Sequence, residues 1–131
     1  MLALQRATHR TLQALSSSLA DLSLSAAEIN VLANLGEGGM ISVRQLSERT
    51  GTRASTLTGL LDRLENRGYV TRELDPADRR SFRLPLTEAG QAAAARVLAA
   101  IADLEREALA RLDAAQLAGY HAVINALQEA C

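Results

Sequence analysis

The sequence has no lysine, no tryptophan, only three aromatic residues and a single cysteine, Cys131. Because that cysteine has no counterpart, no disulfide can form within the chain. A terminal cysteine is more often a bystander than a sensor, and the sequence leaves open whether Cys131 has a role. With so few aromatic residues, the core must be built mainly from leucine, alanine, valine and isoleucine. Leucine and alanine are strong helix formers, so an all-β fold is not expected.

A long hydrophobic run is also missing. No stretch reaches the roughly 18 apolar residues that a membrane span requires, and the first residues lack the basic start and cleavage site of a signal peptide. We therefore expect a cytoplasmic protein with no membrane partner. The length of 131 residues predicts one domain covering 1–131.

Patterns that would indicate an enzyme or a metal site are absent too. No nucleophile lies beside a base, no glycine-rich phosphate loop occurs, and no pair of carboxylates suggests a catalytic pocket. His9 and His121 each stand among residues that do not bind metals. We expect no enzymatic activity, no cofactor and no metal.

The charges are unevenly distributed, although the net charge is only −1. All 14 basic residues are arginines, and nine of them fall within residues 42–86, against six acids, which gives +3. The remainder carries five arginines against nine acids, which gives −4. This asymmetry indicates a basic module on an acidic frame. On its own it fits a solvated surface equally well.

The first half of the chain predicts four helices. One covers the first twenty residues. A capping box of Ser25 and Glu28 starts the second, which we expect to end at Gly36, and another of Ser42 and Gln45 starts the third. Gly51 suits the turn that follows, and leucines at helical spacing predict a fourth helix over 54–66.

The second half predicts a β-hairpin and two more helices. Two strand-like runs, 69–74 and 81–86, flank a charged tip, and residues 40–41 are able to pair with a strand edge. A long helix then runs from Thr87 to about 111, and an N-cap at Asp113 starts the last. The order predicts a mainly α protein with a small β-hairpin wing, a winged helix-turn-helix over 25–86.

The terminal helices carry more apolar surface than a chain of this size can bury. The helix over 1–20 has apolar residues at helical spacing and few polar ones, and the segment 88–131 carries two apolar stripes. Homodimerisation would cover this surface. We therefore predict dimerisation helices at 1–20 and 88–131.

The second helix of a helix-turn-helix enters the DNA major groove by its N-terminal part. Opposite its leucines, this helix presents hydroxyl and guanidinium groups, the types that bind phosphates and base edges. We predict that double-stranded DNA contacts Arg53, Ser55, Thr56, Thr58 and Arg63, and place Arg67 and Gly59 on the same face. From the preceding helix we add Ser42 and Arg44.

The hairpin tip places two adjacent arginines, Arg79 and Arg80, between acidic neighbours. One guanidinium held by Asp78 would act as a brace while the other reaches outward. A narrow, electronegative minor groove is the natural target of the outward group.

Seven segments between residues 24 and 90 carry a family pattern: 24–28 (LSAAE), 31–32 (VL), 46–51 (LSERTG), 55–58 (STLT), 61–70 (LDRLENRGYV), 75–80 (DPADRR) and 86–90 (LTEAG). This run resembles the MarR family of bacterial regulators. The resemblance implies a homodimer on a pseudo-palindromic operator, with Ser55, Thr56 and Thr58 at the major groove and Arg79 or Arg80 in the minor groove.

Two positions depart from the family pattern. Arg53 stands where a capping serine is common, so the helix is either shifted or capped by Thr52. Gly59 replaces a longer polar side chain, which reduces base readout there.

The resemblance also implies regulation, because family members are often released from DNA by a small ligand. The nearest polar candidates here are His9, Arg10 and Asn34. The sequence thus predicts a homodimeric repressor with a possible small-molecule effector. The alternative is a dimeric winged-helix module that binds proteins and lacks specific DNA binding.

Overall fold

The computed structural model describes residues 2–130, so the interpretation of Cys131 lies outside it. The chain is mainly helical with one two-stranded antiparallel sheet. The elements in chain order are α1 (Leu2–Ser18), a 3-10 turn (Ala20–Leu22), α2 (Ala26–Gly38), α3 (Val43–Thr50), α4 (Ala54–Asn66), β1 (Glu73–Leu74), β2 (Phe82–Arg83), α5 (Glu88–Leu109) and α6 (Ala114–Ala130). The predicted winged helix-turn-helix fold is confirmed.

The chain divides into two compact units, Met1–Ile101 and Ala102–Cys131. The first contains the helix-turn-helix and the wing, and the second contains the end of α5 and all of α6. The organisation as one domain over 1–131 stays a prediction. None of the helices within residues 2–130 combines the length and apolar character needed to cross a membrane.

Both predicted capping boxes of the first half are present. The Ser25 hydroxyl accepts a hydrogen bond from the Glu28 N–H, and the Ser25 N–H donates to the Glu28 carboxylate at 2.8 Å. The predicted end of α2 at Gly36 is wrong, because the helix continues to Gly38. It ends where Gly39 adopts φ +66° and ψ −152°, a backbone conformation that is open essentially to glycine alone.

The turn between α3 and α4 is held mainly by side chains of α3. Gly51 has φ +63°, as predicted for the residue that ends a helix. The Ser47 hydroxyl donates to the Thr52 carbonyl at 2.7 Å. Helix α4 begins at Ala54 with Arg53 as its N-cap and no side-chain cap. The expectation that α4 is shifted or capped by Thr52 is therefore wrong, because Arg53 is the N-cap residue and no side chain caps the helix.

The core of the first unit is aliphatic. The leucines at helical spacing on α4 are at most 3% exposed. They pack with buried side chains of α2, α3 and α5, including Leu32, Leu46 and Val97. In the second unit, no described residue of α6 is buried. Its predicted N-cap is present, because the Asp113 carboxylate accepts from the Gln116 N–H at 2.8 Å.

The wing is a short hairpin in which Glu73 pairs with Arg83 and Leu74 with Phe82. The strands are shorter than the predicted runs 69–74 and 81–86. One reason is that Pro85 has no N–H to donate to the ladder. Another is that the Leu84 N–H turns to the Ile41 carbonyl at 3.1 Å. This bond confirms that residues 40–41 pair with a strand edge.

The segment 86–90 fastens the start of α5 to the end of α4. The Thr87 N–H donates to the Tyr69 carbonyl at 3.0 Å, and its hydroxyl donates to the Gly68 carbonyl at 2.5 Å. The same hydroxyl accepts from the Gly90 N–H at 3.0 Å. Thr87 therefore caps α5 and positions it against α4.

Candidate nucleic-acid interface

The N-terminal part of α4 presents an exposed polar face. Arg53, Ser55, Thr56 and Thr58 are all exposed, while Leu57 between them is fully buried. The Thr58 hydroxyl donates to the Ala54 carbonyl at 3.0 Å, and its oxygen retains the ability to accept a hydrogen bond. The structure thus brings the four predicted side chains onto one face, as the leucine spacing requires.

Helix α3 contributes Ser42 and Arg44, the other two predicted contacts. The Ser42 oxygen accepts from the Gln45 N–H at 3.2 Å as the N-cap of α3, so the hydroxyl has a structural role. Arg44 pairs with Glu48 at 3.0 Å on the outer face of the helix and is 86% exposed. Such an exposed pair contributes little to stability, so its guanidinium is available to a phosphate.

The wing tip is braced differently from the prediction. The Asp78 carboxylate does not hold a guanidinium; it accepts a hydrogen bond from the Arg80 backbone N–H at 2.9 Å. The carboxylate–guanidinium pair of the wing joins Asp75 and Arg83 at 3.0 Å. Asp75 also accepts from the Ala77 N–H at 2.9 Å. That bond, together with Arg83, lowers the pKa of the Asp75 carboxyl below its usual value. The sequence-based prediction gave the brace to Asp78 and not to Asp75, because the partner of each aspartate depends on the register of the two strands.

This bracing leaves the two tip arginines outward. Arg79 and Arg80 are exposed, and neither forms an ion pair with another residue in the range 2–130. The loop backbone is fixed by the two aspartates while both guanidinium groups extend into solvent. Such a loop can deliver positive charge to a polyanion at little cost in loop ordering.

The wing and the helix-turn-helix meet around one open cavity of about 650 Å³. Side chains of three different elements line it, among them Arg44 of α3, Thr58 of α4 and Arg80 of the wing. Phe82, which is 42% exposed, supplies part of its apolar wall. Three residues predicted separately as DNA contacts are therefore neighbours on one surface.

Besides Arg44 and Arg83, three further arginines of the basic module are engaged within the protein. Arg63 pairs with Glu28 at 3.0 Å, and Arg67 donates to backbone carbonyls of residues 22 and 23. Arg72 pairs with Asp62 and lies 3.6 Å from Glu65, which ties the base of the wing to α4. Arg67 is exposed, as its predicted position opposite the leucines requires, but its guanidinium is bonded to the turn before α2. Contact between Arg63 and DNA stays a prediction.

The three effector candidates are not brought together. His9 and Arg10 line a shallow cavity of about 320 Å³ along α1, which Asn34 does not line. Asn34 lies on α2 and donates to the Asn30 carbonyl at 2.8 Å. In the single chain only His9 and Arg10 share a cavity, and a ligand site that includes all three residues stays a prediction.

Comparison with known proteins gives the family. A model described as MarR family matches residues 21–81. A probable transcriptional regulator from Pseudomonas aeruginosa is 30% identical in its crystal structure, with a TM-score of 0.77 over 95% of this chain and 93% of that one. The chain belongs to the MarR family.

Two further relatives are similar to this chain. A MarR mutant from E. coli was solved in complex with operator DNA; it is 25% identical, with a TM-score of 0.82 over 95% of this chain and 90% of that one. The transcriptional regulator PecS of Dickeya dadantii is 37% identical over 100 residues, which are 74% of this chain and 60% of PecS. The chain spans between about a third and 60% of the first curated relatives it matches.

Proposed function

We propose that the chain is a homodimeric, sequence-specific transcriptional repressor that binds a pseudo-palindromic operator in double-stranded DNA. The observation that carries this proposal is the shared surface on which Arg44, Thr58 and Arg80 line one cavity. Helix and wing there present hydroxyl and guanidinium groups, which bind phosphates and base edges. The operator complex of the E. coli relative supports the proposal.

Each element has a distinct role in the proposed complex. The N-terminus of α4 enters the major groove and brings with it Arg53, Ser55, Thr56 and Thr58. The free N–H groups at this end of the helix favour a phosphate. Ser42 and Arg44, at the start of α3, bind the sugar-phosphate backbone of the DNA. The wing tip delivers Arg79 or Arg80 to the adjacent minor groove. Repression then requires only that the operator overlaps the promoter.

The dimer part of the proposal is supported by apolar surface in each unit. Leu2 of α1 is 67% exposed, and Val123 of α6 is 57% exposed. The stripe of α6, which includes Ile124, is only half-buried. A second copy that covers the helices over 1–20 and 88–131 would bury these side chains. Release by a small-molecule effector, which family resemblance implies, stays a prediction.

The proposal predicts strongly salt-dependent DNA binding. Affinity for a labelled duplex of about 30 base pairs should fall at least tenfold between about 50 and 200 mM salt, because bound arginines displace counterions. Fluorescence anisotropy measures this. A protein-interaction module would show no measurable affinity at either salt concentration, and that result would exclude the proposed function.

The proposal also predicts a dimer in the absence of DNA. Light scattering should give twice the 14.0 kDa chain mass. Ile124→Asp places a charge on the half-buried stripe of α6 and should shift the mass toward that of the monomer. Ala122→Asp, on the exposed side of the same helix, is the matched control. A monomeric mass for the unaltered chain at micromolar concentration would contradict the dimer.

A further inference from the structure

Two arginines at the C-terminal end of α4 bind the start of α2 and the turn before it. Arg63 lies in the last turn of α4 and Arg67 is its C-cap residue. Arg63 and Arg67 are four residues apart, so they lie on the same side of the helix, one turn from each other. Each bonds to a group at least 35 residues away in the chain. We call these two interactions the arginine clamps.

The first clamp joins Arg63 to a buried carboxylate. Glu28 is 5% exposed, the one charged residue of the described chain that is buried. One of its oxygens accepts from the Arg63 Nε at 3.0 Å and the other from the Ser25 N–H at 2.8 Å. Burial opposes ionisation of Glu28, but the bonds from Ser25 and Arg63 outweigh it and lower the pKa. Both oxygens are therefore satisfied only when Arg63 is in place.

The second clamp joins Arg67 to a pair of backbone carbonyls. The Arg67 guanidinium donates to the Ser23 carbonyl at 2.8 Å and to the Leu22 carbonyl. The Cζ atom of Arg67 also lies 5.3 Å from the centre of the Tyr69 ring, within the range of a cation–π interaction. The planar fork of an arginine can hold two acceptors at once, which a lysine ammonium cannot do in the same geometry.

The opposite end of α4 is fixed less directly, because the Ser47 hydroxyl holds the Thr52 carbonyl, two residues before the helix begins, at 2.7 Å. Its N-cap, Arg53, forms no side-chain cap, and its N-terminal turn is held by the apolar contacts of Leu57. Hydrophobic packing is not directional, whereas a hydrogen bond tolerates only a few tenths of an ångström. Side-chain tips lie about 5–6 Å from a helix axis, so a rotation of about 20° would move them by about 2 Å.

We propose that Arg63 and Arg67 are positioning residues, and that Glu28 and the carbonyls of residues 22 and 23 fix the rotation of α4 through them. The clamps set the angle at which Ser55 and Thr56 meet the bases. This inference rests on the proposed function, and it differs from the sequence-based prediction that Arg63 contacts DNA. Arg63 then contributes to operator selection through Glu28, without a phosphate contact of its own.

The test is a double-mutant cycle on two duplexes. One duplex is selected from a random-sequence library by the unaltered protein, and the other is its scrambled counterpart. The variants are Glu28→Gln, Arg63→Gln and the double variant, each measured at a temperature where thermal melting shows it fully folded. The double variant leaves no buried unpaired charge, so it keeps the test available if Arg63→Gln alone does not fold.

Each single variant is expected to lose about tenfold in affinity for the selected duplex and less than twofold for the scrambled one. The double variant should match the singles, because both remove the same interaction. The salt dependence should be unchanged. If Arg63 binds a phosphate, Arg63→Gln will weaken both duplexes alike and reduce the salt slope by about one, while Glu28→Gln will have no effect.

Arg67→Lys tests the second clamp with the charge retained. Loss of discrimination between the duplexes supports positioning, and unchanged discrimination contradicts it. The control is Arg106→Lys on α5, where the arginine forms an exposed pair with Asp103. Failure of the unaltered protein to distinguish any selected duplex would reject the proposed function itself, a result separate from those above.

Discussion

Replacing Arg79 and Arg80 together with alanine is expected to weaken operator binding by about 100-fold. Each lost arginine contact costs roughly 1–3 kcal/mol of binding free energy, and about 1.4 kcal/mol corresponds to a tenfold change in affinity. Both side chains are exposed, so thermal stability should change little. Anisotropy with a selected duplex measures the affinity. Arg80→Ala alone should cause a large share of this loss in affinity, because Arg80 also lines the cavity between the wing and α4.

A charge-matched control separates this effect from general electrostatics. Arg106→Ala with Arg111→Ala removes the same two positive charges from exposed positions of the chain. We expect it to change affinity less than threefold at about 150 mM salt, where charges beyond roughly 8 Å are screened. Near-unaltered affinity in the wing variant, or an equal loss in the control, would remove the wing from the proposed interface.

Gly90→Ala is expected to destabilise the protein by about 3 kcal/mol, which lowers the melting temperature by about 10 °C. A Cβ atom at position 90 would lie 1.8 Å from the Tyr69 carbonyl oxygen. Because that neighbour is backbone, the start of α5 and the end of α4 would have to move apart. The Thr87 bonds to residues 68 and 69 would be lost in the process. Circular dichroism during thermal unfolding measures the shift.

Gly119→Ala is the matched control for this substitution. Gly119 lies inside α6, and a Cβ there meets no heavy atom within 4 Å. Alanine is a better helix former than glycine, so this variant should gain about 0.5–1 kcal/mol in the free energy of unfolding. A Gly90→Ala variant as stable as the unaltered chain would show that the close approach of α4 and α5 is not required.

Local sequence signals predicted the elements well because each depends on a few neighbouring residues. The capping boxes at Ser25 and Ser42 and the left-handed Gly51 all appeared where expected. The end of α2 was misplaced because the choice among Gly36, Gly38 and Gly39 depends on where the following chain must go. The strands came out short because Leu84 bonds to Ile41, a contact between distant segments.

The interface was harder to predict, because a helical pattern gives the face of a residue and not its partner. Arg53 and Arg67 looked equivalent in the sequence, yet the first is exposed at the N-cap and the second is bound to Ser23. The pairing of Arg63 with Glu28 spans 35 residues. One signal was available, since Glu28 belongs to a capping box and lies beside the buried Ile29.

The most direct test of sequence-specific recognition is selection of bound duplexes from a random library by the unaltered protein. Binding by a symmetric dimer predicts enrichment of a motif with two-fold symmetry, whose half-sites are centred about 10 base pairs, one helical turn, apart. Footprinting on the enriched duplex should protect both halves. A pool that stays random after repeated rounds would contradict sequence-specific binding, and a single asymmetric site would contradict binding by a symmetric dimer.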